Sequence, residues 1–284
     1  MPVTAHQQQG DKLPPTLTDG ARDILATANA AEKAARARAF AAATAANVAA
    51  DVAAQKIIET GALGAPARPA RPAKPALWPP RDMPKRRSGK SAQARVALLH
   101  ALAHIELNAI DLAFDMVARF AGSDLPQAFA TDWIAVGGEE ALHFELLAAR
   151  LKGFDTAYGD LPAHDGLWEA ATVTNDDVLA RLAIVPLVLE ARGLDVTPAM
   201  SQRMESFGDS ETAALLNRIY RDEISHVAVG HKWFEIVAQA RGLVPRDAWQ
   251  DLVRTRFKGE LKPPFNTAAR DQAGLTADWY TALD

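Results

Sequence analysis

The sequence predicts an all-α protein: a four-helix bundle with one long crossover, preceded by an N-terminal helical extension and followed by an irregular C-terminal tail. Three observations carry that expectation. Alanine dominates the 284 residues, and β-branched residues do not gather into alternating runs, which favours helix over sheet. Four long segments repeat apolar residues at steps of three and four. They form two close pairs separated by the loop-like stretch GFDTAYGDLPAHDGLWEAATVT, the layout of a bundle with one crossover.

Taken in order, residues 1–60 read as an arm followed by Ala-rich helices, with one or two helices between Asp19 and Ile58 and Gly61 as the stop. Residues 61–90 hold seven prolines and eight lysines or arginines between Ala65 and Lys90, a composition of extended chain. That stretch would either dock nucleic acid or an acidic partner, or serve as a solvated linker or a strap packed over the bundle, with Leu77 and Trp78 as apolar anchors. The bundle occupies 91–242. Its first helix runs from Ser91 to Phe120. The second runs from Leu125 to Lys152 with Ser123 or Asp124 as cap, the third from Asp176 to Arg192, and the fourth from Asp209 to Arg241. Residues 243–284 are expected to be an irregular tail packed on the bundle.

The composition also excludes. With no cysteine there is no disulfide, thiolate metal site or cysteine nucleophile, so a metal would be held by His, Asp and Glu. A formal net charge of −4 gives no general attraction to nucleic acid or anionic membranes. No run of about 18 apolar residues suggests a membrane span, and MPVTAHQQQGDKLPPTL lacks a signal-peptide pattern. A cytoplasmic location is the expectation.

Each of the four apolar stripes is interrupted by polar residues. Glu106 interrupts the first, Glu140 and His143 the second, Glu190 the third, and Glu223 and His226 the fourth. Glu106 precedes Glu140 by 34 positions and Glu190 precedes Glu223 by 33, so the helix pairs read as two copies of one unit. In each Glu-x-x-His, positions i and i+3 share a face. Thirteen Glu and seven His would give roughly 0.3 such pairs by chance, so two in-stripe pairs are a specific signal. Four carboxylates sharing a core repel one another unless cations enter; two divalent ions would neutralise them.

The segments HALAHIELNAIDLAFD, GGEEALHFELLAARL, YGDLPAHDGLWEAA, EARGLDVTP and RDEISHVAVGHKWF, with the strap and PPFN, resemble an uncharacterised bacterial ferritin-like family of unknown function. More distantly, the core is similar to ferritin-like di-iron proteins, non-haem tRNA hydroxylases among them. The resemblance implies Glu106 and Glu190 as single-carboxylate ligands, with Glu140–His143 and Glu223–His226 as paired ones. It also implies two metal ions, iron before Mn/Fe or another divalent pair.

The leading functional expectation is a dioxygen-activating oxidase or monooxygenase with a small-molecule substrate and an electron donor; nucleic acid is disfavoured and a homodimer is compatible. The alternatives are a ferroxidase or iron-handling subunit, a tRNA-modifying hydroxylase using the basic strap, and a metal-stabilised structural protein. Among single residues, Tyr220 is weighed as an electron relay against a core tyrosine. Gly137 and Gly138 suggest close packing or room for a ligand, and Pro186 a kink that aims Glu190. Glu139 reads as surface or as a partner behind the site. Asp222 and Asp111 are candidates to hold the far nitrogens of the histidines. His100, His104 and His231 read as surface or capping groups. His164 and Asp165 would cover a pocket mouth or stabilise a loop.

Overall fold

The computed structural model describes residues 16–54, 59–84, 89–122 and 124–283, with side chains of 51–54 left out. The architecture is all-helical, and the described residues contain no strand beyond one isolated parallel bridge between Leu77 and Ala163.

Four elements carry the polar interruptions. Helix α3 spans Ala92–Phe120, α4 Gln127–Lys152, α8 Ser210–Ala240, and the third segment is α6 Val178–Ile184, a π-helical stretch Val185–Glu190 and α7 Ala191–Ser206. Ser91 caps α3 by accepting from the Ala94 N–H at 3.2 Å, and Asp209 caps α8 by accepting from the Thr212 N–H at 3.1 Å. Asp177 caps α6 by accepting from the Leu179 N–H at 3.0 Å. Helix α4 starts at Gln127, after Pro126 at the cap position, and takes no side-chain cap; Ser123 lies outside the described residues.

The third helix differs most from expectation. It does not stop at Arg192 but continues to Ser206 through Gly193 and Pro198. Proline at 198 deprives the Leu194 carbonyl of its helical donor, and Asn266 Nδ2 donates to that carbonyl instead at 3.1 Å. Pro186 sits in the π-helical stretch, whose wider turn ends at Glu190. The glycines explain how close the helices come. A Cβ at Gly137 would strike Phe114, one at Gly138 Ala41, and one at Gly230 Pro186, so close packing accounts for the Gly-Gly pair.

Before the site-bearing helices come α1, Leu17–Ala26, packed on α3, and α2, Ala30–Ala54, packed on α4. The chain from Glu59 to Pro84 is a strap laid over them. Its backbone bonds Ala118, Leu25 and Ala163, and Arg71 reaches Asn108 and Asp111 of α3. Leu77 and Trp78 are not its anchors; both side chains are exposed. Asp111 does not face the histidines. It is fully buried between Lys33 Nζ at 2.5 Å and Arg71 Nη2 at 3.2 Å, fastening α2 and the strap to α3.

The segment between α4 and α6 contains α5, Gly166–Thr172. His100 and His104 are buried, not surface groups, and they fasten the loop. His100 Nε2 accepts from the Gly159 N–H at 2.9 Å. His104 Nε2 lies 3.0 Å from the His164 carbonyl and must donate to it, which leaves Nδ1 to accept from Tyr158 Oη at 2.9 Å. The His164 ring accepts from the Gly166 N–H, and Asp165 pairs with Arg68, so these two residues stabilise the loop. Helices α9 Pro245–Arg256, α10 Thr267–Gln272 and α11 Ala277–Tyr280 replace the irregular tail expected. Pro245 opens α9 where a missing N–H costs nothing. Asn266 caps α10 through the Ala269 N–H, and Trp249, Trp279 and Tyr280 are buried. His231 packs against Trp279, with ring centroids 4.7 Å apart. By length and composition α3 could cross a membrane, but 67% of its most apolar window is buried inside the protein, as in a core helix.

Candidate metal centre

The helical stripes bring the expected residues to one place. Four of them, Glu106, Glu140, His143 and Glu223, present ligand atoms within 4.8 Å of one another and could hold a metal ion. His143 Nδ1 lies 3.4 Å from Glu106 Oε2, 3.6 Å from Glu140 Oε2 and 3.7 Å from Glu223 Oε1. His226 adjoins this group, its Nδ1 3.0 Å from Glu140 Oε1 and 3.5 Å from Glu223 Oε2. Glu190 completes the surroundings: it lines the same cavity as Glu106, Glu140 and Glu223, and the charges of Glu140 and Glu223 act on it.

Both imidazoles present Nδ1 to the cluster and turn Nε2 outward to a carboxylate. His143 Nε2 meets Asp222 Oδ2 at 3.1 Å, and His226 Nε2 meets Glu139 Oε2 at 2.8 Å. The exchange is reciprocal. The acid just before Glu140 on α4 holds the histidine of α8, and the acid just before Glu223 on α8 holds the histidine of α4. An outer carboxylate that takes the N–H of one ring nitrogen leaves a lone pair on the other, the form in which imidazole binds metal.

The electrostatics are those of a crowded acidic core. Burial raises Glu106 well above the usual carboxylate range, and the neighbouring Glu140 charge raises it further. Burial and the Glu140 and Glu223 charges do the same to Glu190; burial and Glu140 raise Glu223. Burial alone would also raise Glu140, but His226 and His143 outweigh it and hold the carboxyl low. Although burial opposes it, Glu106 and Glu140 push His143 up to about 11. His226 is raised likewise, by Glu140 and Glu223 against its burial. Without cations this cluster stores protons.

The decisive detail is what these atoms bond. Glu106 Oε2, Glu140 Oε2, Glu190 Oε2, His143 Nδ1 and His226 Nδ1 are all buried and make no hydrogen bond. Buried polar atoms are ordinarily satisfied. Five such atoms at one point are donor capacity that a metal ion could take up. The chain belongs to the DUF455 family. Residues 26–281 match that family, described as a protein of unknown function. An uncharacterised protein of Haemophilus influenzae is 42% identical over 213 residues, covering 72% of this chain and 74% of its own length. No solved structure matches. The family match spans every residue of the cluster, the outer acids Glu139 and Asp222 included.

An apolar cavity of about 190 Å³ opens beside the cluster, between α3, α7 and α8. No sequence pattern announced it, because its walls are ordinary core residues. Tyr220 is not among them; its hydroxyl accepts from Asn266 Nδ2 at 3.0 Å, on the side of the tail.

Proposed function

We propose that this chain is a non-haem di-iron protein of ferritin-like architecture, its four site-bearing helices forming the bundle and the stretch before α6 the crossover. Its proposed activity is that of a dioxygen-activating oxidase or monooxygenase. The observation that carries the reading is the group of five orphaned buried atoms on two Glu-x-x-His motifs and two further glutamates. Glu106 and Glu190 would bind as single carboxylates, Glu140 with His143 and Glu223 with His226 as pairs. Four carboxylates and two imidazoles without a thiolate form an oxygen and nitrogen donor set suited to iron or manganese, and two divalent ions offset four negative charges.

When bound, the metal pair would supply reductive activation of dioxygen. In a monooxygenase one oxygen atom enters a substrate C–H bond and the other leaves as water. Two electrons and two protons come from a reduced donor. The residues of the chain do the rest. Asp222 and Glu139 fix the ring orientations of His143 and His226. Leu112, Val185 and Ile219 among the cavity walls keep bulk water from the reacting end.

Anaerobic reconstitution with ferrous iron tests the proposal. It should load about two irons per chain, and exposure to air should produce a ferric absorption band. Glu140→Ala and Glu223→Ala should abolish both. Zinc binding alone, with no reaction of the iron-treated protein towards air, would contradict it.

A further inference from the structure

The cavity beside the cluster has a shape and a polarity of its own. Its walls are Leu102, Ile105 and Ala109 of α3, Val196 and Met200 of α7, and Leu216 and Ile219 of α8. Ile219 and Leu216 precede Glu223 by four and seven residues, so the space runs roughly 10 Å along the helices from the carboxylates. At about 190 Å³ it exceeds the roughly 150 Å³ apolar cavity known to stay dry and admit benzene. A space this size fits one aromatic ring or an aliphatic chain of about six to eight carbons.

Charge narrows the class. Between the glutamates at the inner end and the rim the walls are apolar, so an ion lodged there would lose its hydration without gaining a partner. Arg192 is the one cationic side chain in the lining, and it is already engaged, by the Asp195 carboxylate at 3.5 Å and the Lys262 carbonyl at 2.5 Å. The occupant is therefore uncharged.

Gly193 supplies an independent observation. Glycine weakens a helix interior, and the other helical glycines of these elements have a reason: Gly137, Gly138 and Gly230 sit where a Cβ would collide. Gly208 and Gly242 have positive φ. Gly193 has neither excuse. Its φ is not positive, and a Cβ there would meet nothing within 4 Å. It lines the cavity, as do Arg192 and Ile105, whose side chains are exposed. A methyl group here would meet nothing, whereas a bulky side chain would occupy this edge of the space.

We propose that this cavity is the binding chamber for a compact, uncharged, apolar molecule, admitted past Gly193. Its role as the substrate chamber rests on the di-metal reading above; the binding site itself does not.

Toluene and 1-hexanol are suitable probes, added to the full-length protein with and without iron. Wild type should gain about 2–4 °C in Tm at ten times the Kd. Gly193→Ala should bind as wild type and melt at the same temperature or higher, since its methyl meets no atom. Gly193→Phe should fold, keep its metal content and lose the ligand-induced shift, because its ring fills this edge of the space. Octanoate should produce at least tenfold weaker binding than hexanol. The proposal is overturned if wild type shows no shift, if Gly193→Phe responds like wild type, or if octanoate binds as well as hexanol. Gly193-dependent toluene binding by a protein that takes up no metal would uphold the site and overturn the di-metal reading instead.

Discussion

Asp222 and Glu139 adjoin the candidate metal site without belonging to it. Each takes the outer nitrogen of a histidine, so each decides which way a lone pair points. Asp222→Asn should therefore lower metal affinity about 10- to 100-fold while the six ligands stay in place. Competition against a chromophoric chelator measures this, and an unchanged affinity would show that Asp222 is a bystander. The pairing was half legible. The sequence shows an acid before each Glu-x-x-His, EEALH on α4 and DEISH on α8, but not that each acid serves the other helix. That depends on the rotation of α8 against α4, which one sequence does not encode locally. Asp111 illustrates the reverse: a buried acid on the right helix proved to serve Lys33 and Arg71, residues distant in sequence. His104 gives a pH prediction. Burial lowers it from 6.5 to about 4, so the unfolded chain protonates first as pH falls. Its contribution is constant above pH 6.5 and is lost as pH drops towards 4. At pH 4.5 the loss is about 2–3 kcal/mol. Urea unfolding at pH 7 and 4.5 should show a larger decline for wild type than for His104→Gln, and equal declines would refute the assignment.

At the scale of elements, the helices that carry the site were readable because each combines a cap, a stripe and a stop. Ser91, Asp209 and Gly242 mark their boundaries as expected. The third helix was not. Gly193 and Pro198 are ordinary breakers, and what keeps the helix intact through Pro198 is Asn266, 68 positions away, answering the Leu194 carbonyl. The tail was misread for a related reason: α10 and α11 are too short for periodicity to register. Gly230 of α8 packs against Pro186 of the π-helical stretch, the stretch that ends at Glu190. Gly230→Ala should destabilise the protein by about 2 kcal/mol through overpacking and should weaken metal binding along with it. Denaturant midpoints and chelator competition on the same variant check the link. A loss of stability with unaltered metal affinity would mean that the π-helical stretch does not position Glu190.

Across the whole molecule, α1, α2, the strap and the tail all pack around the site-bearing helices, and one apolar core runs from Leu17 to Tyr280. Among the described residues of the strap, two arginines are spent on the rest of the protein. Arg71 goes to Asp111 and Asn108, and Arg68 goes to Asp165. That part of the strap packs on the protein, while Lys85, Arg86 and Arg87 lie outside the described residues. The convergence of six side chains was legible because it needs only helical spacing and the repulsion of like charges. The chamber was not, because an apolar wall and an apolar core share one alphabet. The most direct measurement is an anomalous diffraction map at the iron edge from crystals of the iron-reconstituted protein. Two peaks separated by roughly 3.5–4 Å, lying among Glu106, Glu140, His143, Glu190, Glu223 and His226, are the expected result. A single peak, or none among these residues in protein shown to contain iron, would contradict the account.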